Sequence, residues 1–162
     1  MKRAAIVALA FVALMAKVSG QAGCPDGYIN FSTDSATLLC LKFVTYAKGT
    51  YDSLRAMCQA MPNGDLAQLQ LNCDLHHRVY EYIIQHADLK GENFWIGGSD
   101  AGHEGIWKWV NGEEMEMGVP HWYPGQPDGE YDENYACLAA PDYFYHSCNN
   151  NNYIYAICHS II

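Results

Sequence analysis

Apolar residues follow three kinds of pattern along this chain. The first is a continuous run from Ala4 to Ala16, preceded by Lys2 and Arg3 and followed by the small residues Val18-Ser19-Gly20. A charged start, a short apolar middle and a small-residue end predict a secretory signal peptide over residues 1–20, short for a bilayer span. No second run of membrane length follows. The second pattern is helical. Tyr51, Leu54, Met57 and Cys58 recur at i, i+3 and i+6/i+7 behind Thr50, a good capping residue, which predicts a helix through Met61 ended by Pro62-Asn63-Gly64. Leu75, Val79, Tyr82 and Ile83 predict a second helix from Asn72 or Asp74 to about His86. The third pattern is extended. Cys24 to Tyr28 reads as the entry of a hairpin returning over Leu39–Phe43. Asp65–Leu69 is a short extended segment, and strands are expected around Phe94–Gly97, Ile106–Val110, Tyr135–Leu138 and Tyr153–Cys158. Trp107 and Trp109 stand at i and i+2, so both leave one face of a strand, and with Trp95 they read as core. Asn149 to Asn152 reads as a tight loop between strands. Between Asn111 and Asn134 no period shows, and so long an irregular segment in a compact domain usually has a function. Helices early and strands at both ends give an α+β fold.

Cysteine count and charge narrow the setting. Seven cysteines lie beyond the signal segment, at 24, 40, 58, 73, 137, 148 and 158. A secreted chain oxidises its thiols, and an odd number leaves one free or linked to another chain. No Cys-x-x-Cys suggests a zinc ribbon. Cleavage after Gly20 would remove Lys2, Arg3 and Lys17 and no acid, leaving 6 of the 9 basic residues against 18 acids and moving the formal charge from −9 to −12. Such a surface repels phosphate backbones, so nucleic acid is not an expected partner. Asn30-Phe31-Ser32 is a glycosylation sequon at Asn30.

Several separate motifs occur in one order: Leu66-Ala67-Gln68-Leu69 after the first helix, Trp95-Ile96-Gly97-Gly98, Glu104-Gly105-x-Trp107-x-Trp109, Trp122-x-Pro124-Gly125, and the closing cysteines. Together they resemble the C-type lectin domain, and the resemblance covers Cys24 to Cys158. It implies two helices, two small antiparallel sheets and a long irregular loop, stapled by disulfides Cys24–Cys40, Cys58–Cys158 and Cys137–Cys148. Cys73 is left over, either as the link of a disulfide-bonded homodimer or as a buried or capped thiol.

In that family the long loop holds calcium, and calcium holds a sugar. Calcium takes six to eight oxygen ligands. The resemblance places the site at Gln126-Pro127-Asp128, with Glu133 adding a carboxylate. In the family the bond before this proline is commonly cis when calcium is bound, which would aim both flanking side chains the same way. Carboxylates only accept hydrogen bonds whereas the amide nitrogen donates, so hydroxyl orientation becomes specificity. Gln-Pro-Asp goes with galactose-type sugars in the family and Glu-Pro-Asn with mannose-type. Tyr131 is the expected stacking ring, with Tyr143 or Tyr145 in reserve, and Trp122 is structural.

The chain also departs from the family pattern. Calcium-binding members carry Trp-Asn-Asp shortly before the penultimate cysteine. Here Phe144 and Tyr145 occupy the Asn and Asp positions, and a one-residue shift brings His146, a poor ligand for a hard cation. Asp142 is the remaining candidate ligand, and the departure predicts calcium affinity that is low or nil. Asp100 and Glu104 match a second calcium position, although Glu104 also belongs to the Glu-Gly-x-Trp motif. His76, His77 and His86 read as surface residues, and His103 and His121 have no ligand spacing.

No nucleophile elbow, His-Glu-x-x-His or phosphate-cradling glycine loop points to an enzyme. The expectation is a secreted lectin for galactose-like or microbial glycans, gaining avidity through multimers. A role in innate immunity follows from the family alone. The rival is a calcium-independent domain that binds a protein or mineral surface.

Overall fold

A computed structural model describes residues 23–162 with the exception of Ser35, Cys73 and Glu130. The expected signal peptide and the Cys73 thiol therefore lie outside the described residues. A two-residue strand, β1 (Ile29–Asn30), pairs with the start of the long strand β2 (Leu39–Gly49), and the Cys24–Cys40 disulfide closes this entry. Helix α1 (Tyr51–Gln59) starts where the Thr50 hydroxyl accepts the Ser53 amide at 3.4 Å, satisfying one of the donors every helix start leaves bare. It stops short of Met61: the Ala60 amide still bonds the Ala56 carbonyl, but the Met61 amide reaches only three residues back, to Cys58, and Pro62 disfavours a helical Met61. Strand β3 (Gly64–Leu66) and helix α2 (Leu75–Gln85) follow. Then come β4 (Phe94–Ser99), β5 (Lys108–Trp109), β6 (Tyr135–Ala139), β7 (Phe144–Cys148) and β8 (Ile154–Ile161).

β8 organises the sheet, whose order is β1-β2-β8-β4-β6-β7, with β3 also on β8 and β5 on β4. It runs antiparallel to β2, from Leu39 opposite Ile161 to Val44 opposite Ala156, and parallel to β4. Cys58–Cys158 pins α1 to β8, and Cys137–Cys148 ties β6 to β7. Strand β7 is unassigned from sequence alone. Phe-Tyr-His-Ser-Cys puts an aromatic ring on both faces, so no apolar alternation shows, yet Tyr145 and Ser147 are buried while their neighbours are half-buried.

Two apolar clusters fill the interior. One joins Tyr51, Leu54 and Cys58 of α1 to Trp95, with Tyr51 edge-on to the indole at 5.6 Å. The larger gathers Leu75, Val79 and Ile83 of α2 with Phe94, Ile96, Trp107, Trp109, Trp122 and Tyr145. The glycine at the centre of β4 is explained by crowding. A Cβ on Gly98 would lie 2.7 Å from the Ala136 Cβ and collide with the Met115 sulfur. Met115 is a loop residue, so Gly98 makes room for the loop to pack on the sheet, while its neighbour Gly97 lets the Leu66 carbonyl approach, 2.7 Å from where a Cβ would stand.

That loop, residues 110–134, is irregular but anchored. Met115 and Trp122 are buried, and the Trp122 indole N–H donates to the Glu116 carbonyl at 3.1 Å. The loop then runs beside β7: the Tyr145 amide donates to the His121 carbonyl at 2.8 Å and the Tyr123 amide to the Tyr145 carbonyl at 3.1 Å. Fixing Trp122 by full burial is worth about 2–3 kcal/mol on transfer grounds, enough to offset the ordering of a few loop residues.

Candidate functional site

Just past this docking point the loop delivers Gln126, Asp128 and Glu133 to one buried hydroxyl, that of Ser147. The Gln126 side-chain oxygen accepts from the Ser147 amide at 2.7 Å and lies 3.0 Å from its hydroxyl. Glu133 Oε2 lies 3.2 Å from the same hydroxyl. The amides of Asp128 and Gly129 donate to Ser147 Oγ at 3.3 and 3.1 Å. One hydroxyl proton serves Gln126 or Glu133 but not both at once. The Gln126 amide nitrogen in turn donates to an Asp128 carboxylate oxygen, and the Gln126–Pro127 peptide is cis. Gly129 is needed here, because a Cβ would collide with the Glu133 side chain.

The electrostatics are those of an anionic patch. No lysine or arginine pairs with Asp128 or Glu133 among the described residues. His146 stands beside them, its ring stacked on Tyr123 at 5.1 Å. Burial pushes its pKa down, and the charges of Asp128, Asp142 and Glu133 pull the other way.

The other expected site residues divide. Tyr131 is 76% exposed, and its backbone carbonyl accepts from the Asn134 side-chain nitrogen at 2.7 Å. Asp142 is exposed on the turn between β6 and β7 and shares no hydrogen bond with Gln126, Asp128 or Glu133. Tyr143 and Tyr145, the reserve stacking rings, are buried and out of reach of a sugar. The Tyr143 hydroxyl accepts the Gly91 amide at 2.7 Å, and the Tyr145 ring stacks on His76 at 4.5 Å. Tyr123 is the aromatic that sequence reasoning missed. It is 42% exposed, three residues before Gln126, and only its place between Trp122 and Pro124 could have drawn notice. Ser147 was missed too, for want of any motif beyond its place before Cys148. Asn30 is exposed, its side-chain oxygen accepting the Ser32 amide at 2.8 Å. Asp100 is buried and holds its own turn, accepting the Gly105 amide at 2.8 Å, while Glu104 is exposed on that turn.

The histidine reading needs correction. His76 is not a surface residue. Its ring is packed against Tyr145, and burial lowers its pKa to about 4 against the hydrogen bond it makes to the Tyr143 carbonyl. His121, 45 residues on, meets it: the two Nδ1 atoms are 3.1 Å apart. Burial lowers the His121 pKa as well, with Glu116 opposing.

Chemically, among the described residues the Ser147 cluster offers oxygens: one amide and two carboxylates without a lysine or arginine partner. That is the donor kind a hard cation prefers. The number is small for calcium, since Phe144 and Tyr145 supply none.

A mixed sheet with two flanking helices, carrying an oxygen-lined loop docked beside a disulfide-tied hairpin, defines a C-type lectin fold. The sequence model of the Lectin C-type domain matches residues 47–160, and the chain belongs to that family. It is 32% identical over 111 residues to the galactose-specific lectin nattectin of Thalassophryne nattereri, a match spanning 65% of this chain and 59% of nattectin, less than two thirds of that protein's length. Among solved structures, the carbohydrate-recognition domain of the mouse scavenger receptor C-type lectin superposes with a TM-score of 0.69 at 22% identity, over 85% of this chain and 95% of that one. A calcium-independent type II antifreeze protein superposes with a TM-score of 0.67 at 20% identity, over 86% and 95%. These two share the fold. No described helix is long and apolar enough to cross a membrane.

Proposed function

We propose that this chain is a secreted lectin that binds galactose-type glycans through Gln126, Asp128 and Glu133, with Tyr131 or Tyr123 against the apolar face of the sugar. The observation that carries the reading is the gathering of these residues at Ser147: the Gln126 and Glu133 side chains meet its hydroxyl, the Asp128 backbone amide donates to the same oxygen, and the Asp128 carboxylate accepts from the Gln126 amide nitrogen. Likeness to a galactose-specific lectin supports the sugar class. Gln126, Asp128 and Glu133 are the residues that would hold calcium, which when bound would offer open coordination positions to neighbouring sugar hydroxyls. With three side chains contributing, affinity belongs at the weak extracellular end of the range, about 10⁻⁴–10⁻³ M. Gln126 can donate and accept, whereas Asp128 and Glu133 only accept, so the trio selects hydroxyls by orientation. Cys73 would join two copies through a disulfide and raise avidity for surface glycans, as recognition of microbes in innate immunity would require.

Calorimetric titration with calcium, with and without galactose, tests the reading. Calcium uptake and galactose retention that vanish with a chelator are expected; neither uptake nor retention sinks it. Gln126→Glu combined with Asp128→Asn should move preference towards mannose, and unchanged selectivity would remove these residues as the reading groups. Non-reducing electrophoresis of wild type and Cys73→Ser decides the dimer, a monomer in both ending it.

A second reading, calcium-independent binding to a protein or mineral surface, is favoured by Phe144 and Tyr145 standing where metal-ligating side chains would be, and by the likeness to a calcium-independent antifreeze fold. Burial of Tyr143 and Tyr145 takes them out of any such surface, leaving Tyr123, Phe144 and Tyr131.

A further inference from the structure

The imidazole pair on the other side of the loop has no part in the sugar reading. His76 on α2 and His121 in the loop line one cavity of about 390 Å³, together with His77, Tyr80 and Asp142. Their Nδ1 atoms face each other at 3.1 Å. Each distal nitrogen meets an oxygen: His76 Nε2 lies 2.7 Å from the Tyr143 carbonyl, and His121 Nε2 lies 3.7 Å from a Glu116 carboxylate oxygen. A carbonyl only accepts, so His76 carries its proton on Nε2 and presents a lone pair at Nδ1. A neutral His121 has a single ring proton and two claimants, the His76 lone pair and the Glu116 carboxylate. Tyr145 braces both rings, stacking on His76 at 4.5 Å and on His121 at 5.5 Å.

We propose that His76 Nδ1 and His121 Nδ1 form a binding site for a divalent transition-metal ion of the zinc class. With metal–nitrogen bonds of about 2.0–2.1 Å, two ligands at angles between square and tetrahedral stand about 2.8–3.4 Å apart, a range that contains the observed spacing. An ion there satisfies both lone pairs and leaves both Nε2 protons for the oxygens behind them. Such oxygen partners are the usual outer support of metal-bound histidine, fixing tautomer and ring orientation. Imidazole suits zinc, copper and nickel and not calcium, so this site is chemically separate from the Ser147 cluster. Among the described residues no group of three or more His, Cys, Asp or Glu gathers within coordinating reach. The described residues therefore supply two donors, and the remaining positions go to water or to an anionic group entering the cavity.

Metal-stripped protein titrated with zinc chloride near neutral pH tests this by calorimetry. One ion per chain is expected. His121→Ala should weaken it at least about tenfold, since losing a ligand costs no less than losing an outer partner. Glu133→Gln, in the sugar loop, should leave it unchanged. Long-range nitrogen NMR supplies the readout that a packing role would not move, with zinc shifting Nδ1 of both rings. No saturable uptake up to about 1 mM, full affinity in His121→Ala with its near-ultraviolet circular dichroism intact, or a shift at other histidines only, each overturns the assignment. Because the probe is zinc without sugar, the result is independent of whether galactose binds.

Discussion

Two polar clusters lie along β7, and they were assembled in opposite ways. The Ser147 cluster draws on a short stretch, Gln126 to Glu133, folded onto one strand residue. The imidazole cluster around Tyr145 joins His76 on a helix to His121 in a loop, 45 residues apart. One is oxygen-rich, anionic and open. The other is nitrogen-rich, packed against an aromatic ring and kept uncharged by burial. A motif that is local in sequence exposes its chemistry to reading, whereas a pair brought together by packing hides it. Both depend on the same strand, so disturbing β7 should act on both, while disturbing one cluster should spare the other.

The harshest break is Tyr145→Ala. Emptying a fully buried aromatic site should cost about 3–5 kcal/mol in urea unfolding and weaken zinc and galactose binding together. A loss below about 1 kcal/mol would show that β7 is not the shared frame. Next is Ser147→Ala, which strands the amides of Asp128 and Gly129 and should cost about 1–3 kcal/mol in stability, galactose affinity falling and zinc affinity holding. Equal loss at both sites would erase the distinction. A milder test uses acid at a third histidine. His159 is buried on β8, its Nδ1 accepts the Gln68 amide at 3.3 Å, and burial lowers its pKa with Asp65 opposing. The unfolded chain takes up this proton near the ordinary value of 6.5 and the folded chain resists it, so the unfolded state binds more protons below that pH. Stability should fall as pH drops from about 6.5 through the lowered folded value, and His159→Asn should reduce the slope measured by urea midpoints, the rest belonging to His76, His121 and His146. The smallest effect is on exposed rings. Tyr131→Ala should shift stability by less than about 0.5 kcal/mol, and Tyr123→Ala, which loses its ring contact with His146, by about 0.5–1.5 kcal/mol. The one that stacks on the sugar should lose about 0.5–1.5 kcal/mol of galactose affinity, and no loss in either would leave the apolar sugar face without a partner.

Much of the scaffold was legible. Thr50, the Tyr51–Leu54–Cys58 face and the Leu75–Val79–Ile83 face announce the helices because a 3.6-residue repeat with a cap is a local signal. Trp95, Trp107 and Trp109 are buried as their strand spacing suggests. The candidate site was legible as far as Gln126, Asp128 and Glu133 meet at one place. Ser147 was not, because a serine before a cysteine carries no signal until the loop folds over it. His76 looked like a polar residue on a helix flank, and only the docking of the loop on β7 turned that flank inward. Strand β7 itself escaped notice because its half-buried positions carry rings as large as its buried ones.

The backbone bonds between the loop and Tyr145 reach beyond recognition. β7 closes the sheet order at one margin, where a bare strand would offer its amides and carbonyls to any neighbouring chain. Residues 121–123 cover part of that margin, taking up both main-chain groups of Tyr145. The segment proposed to read sugars thus also acts as a guard against self-association, and variants that loosen it should be watched for fibril growth and loss of solubility as well as for lost affinity.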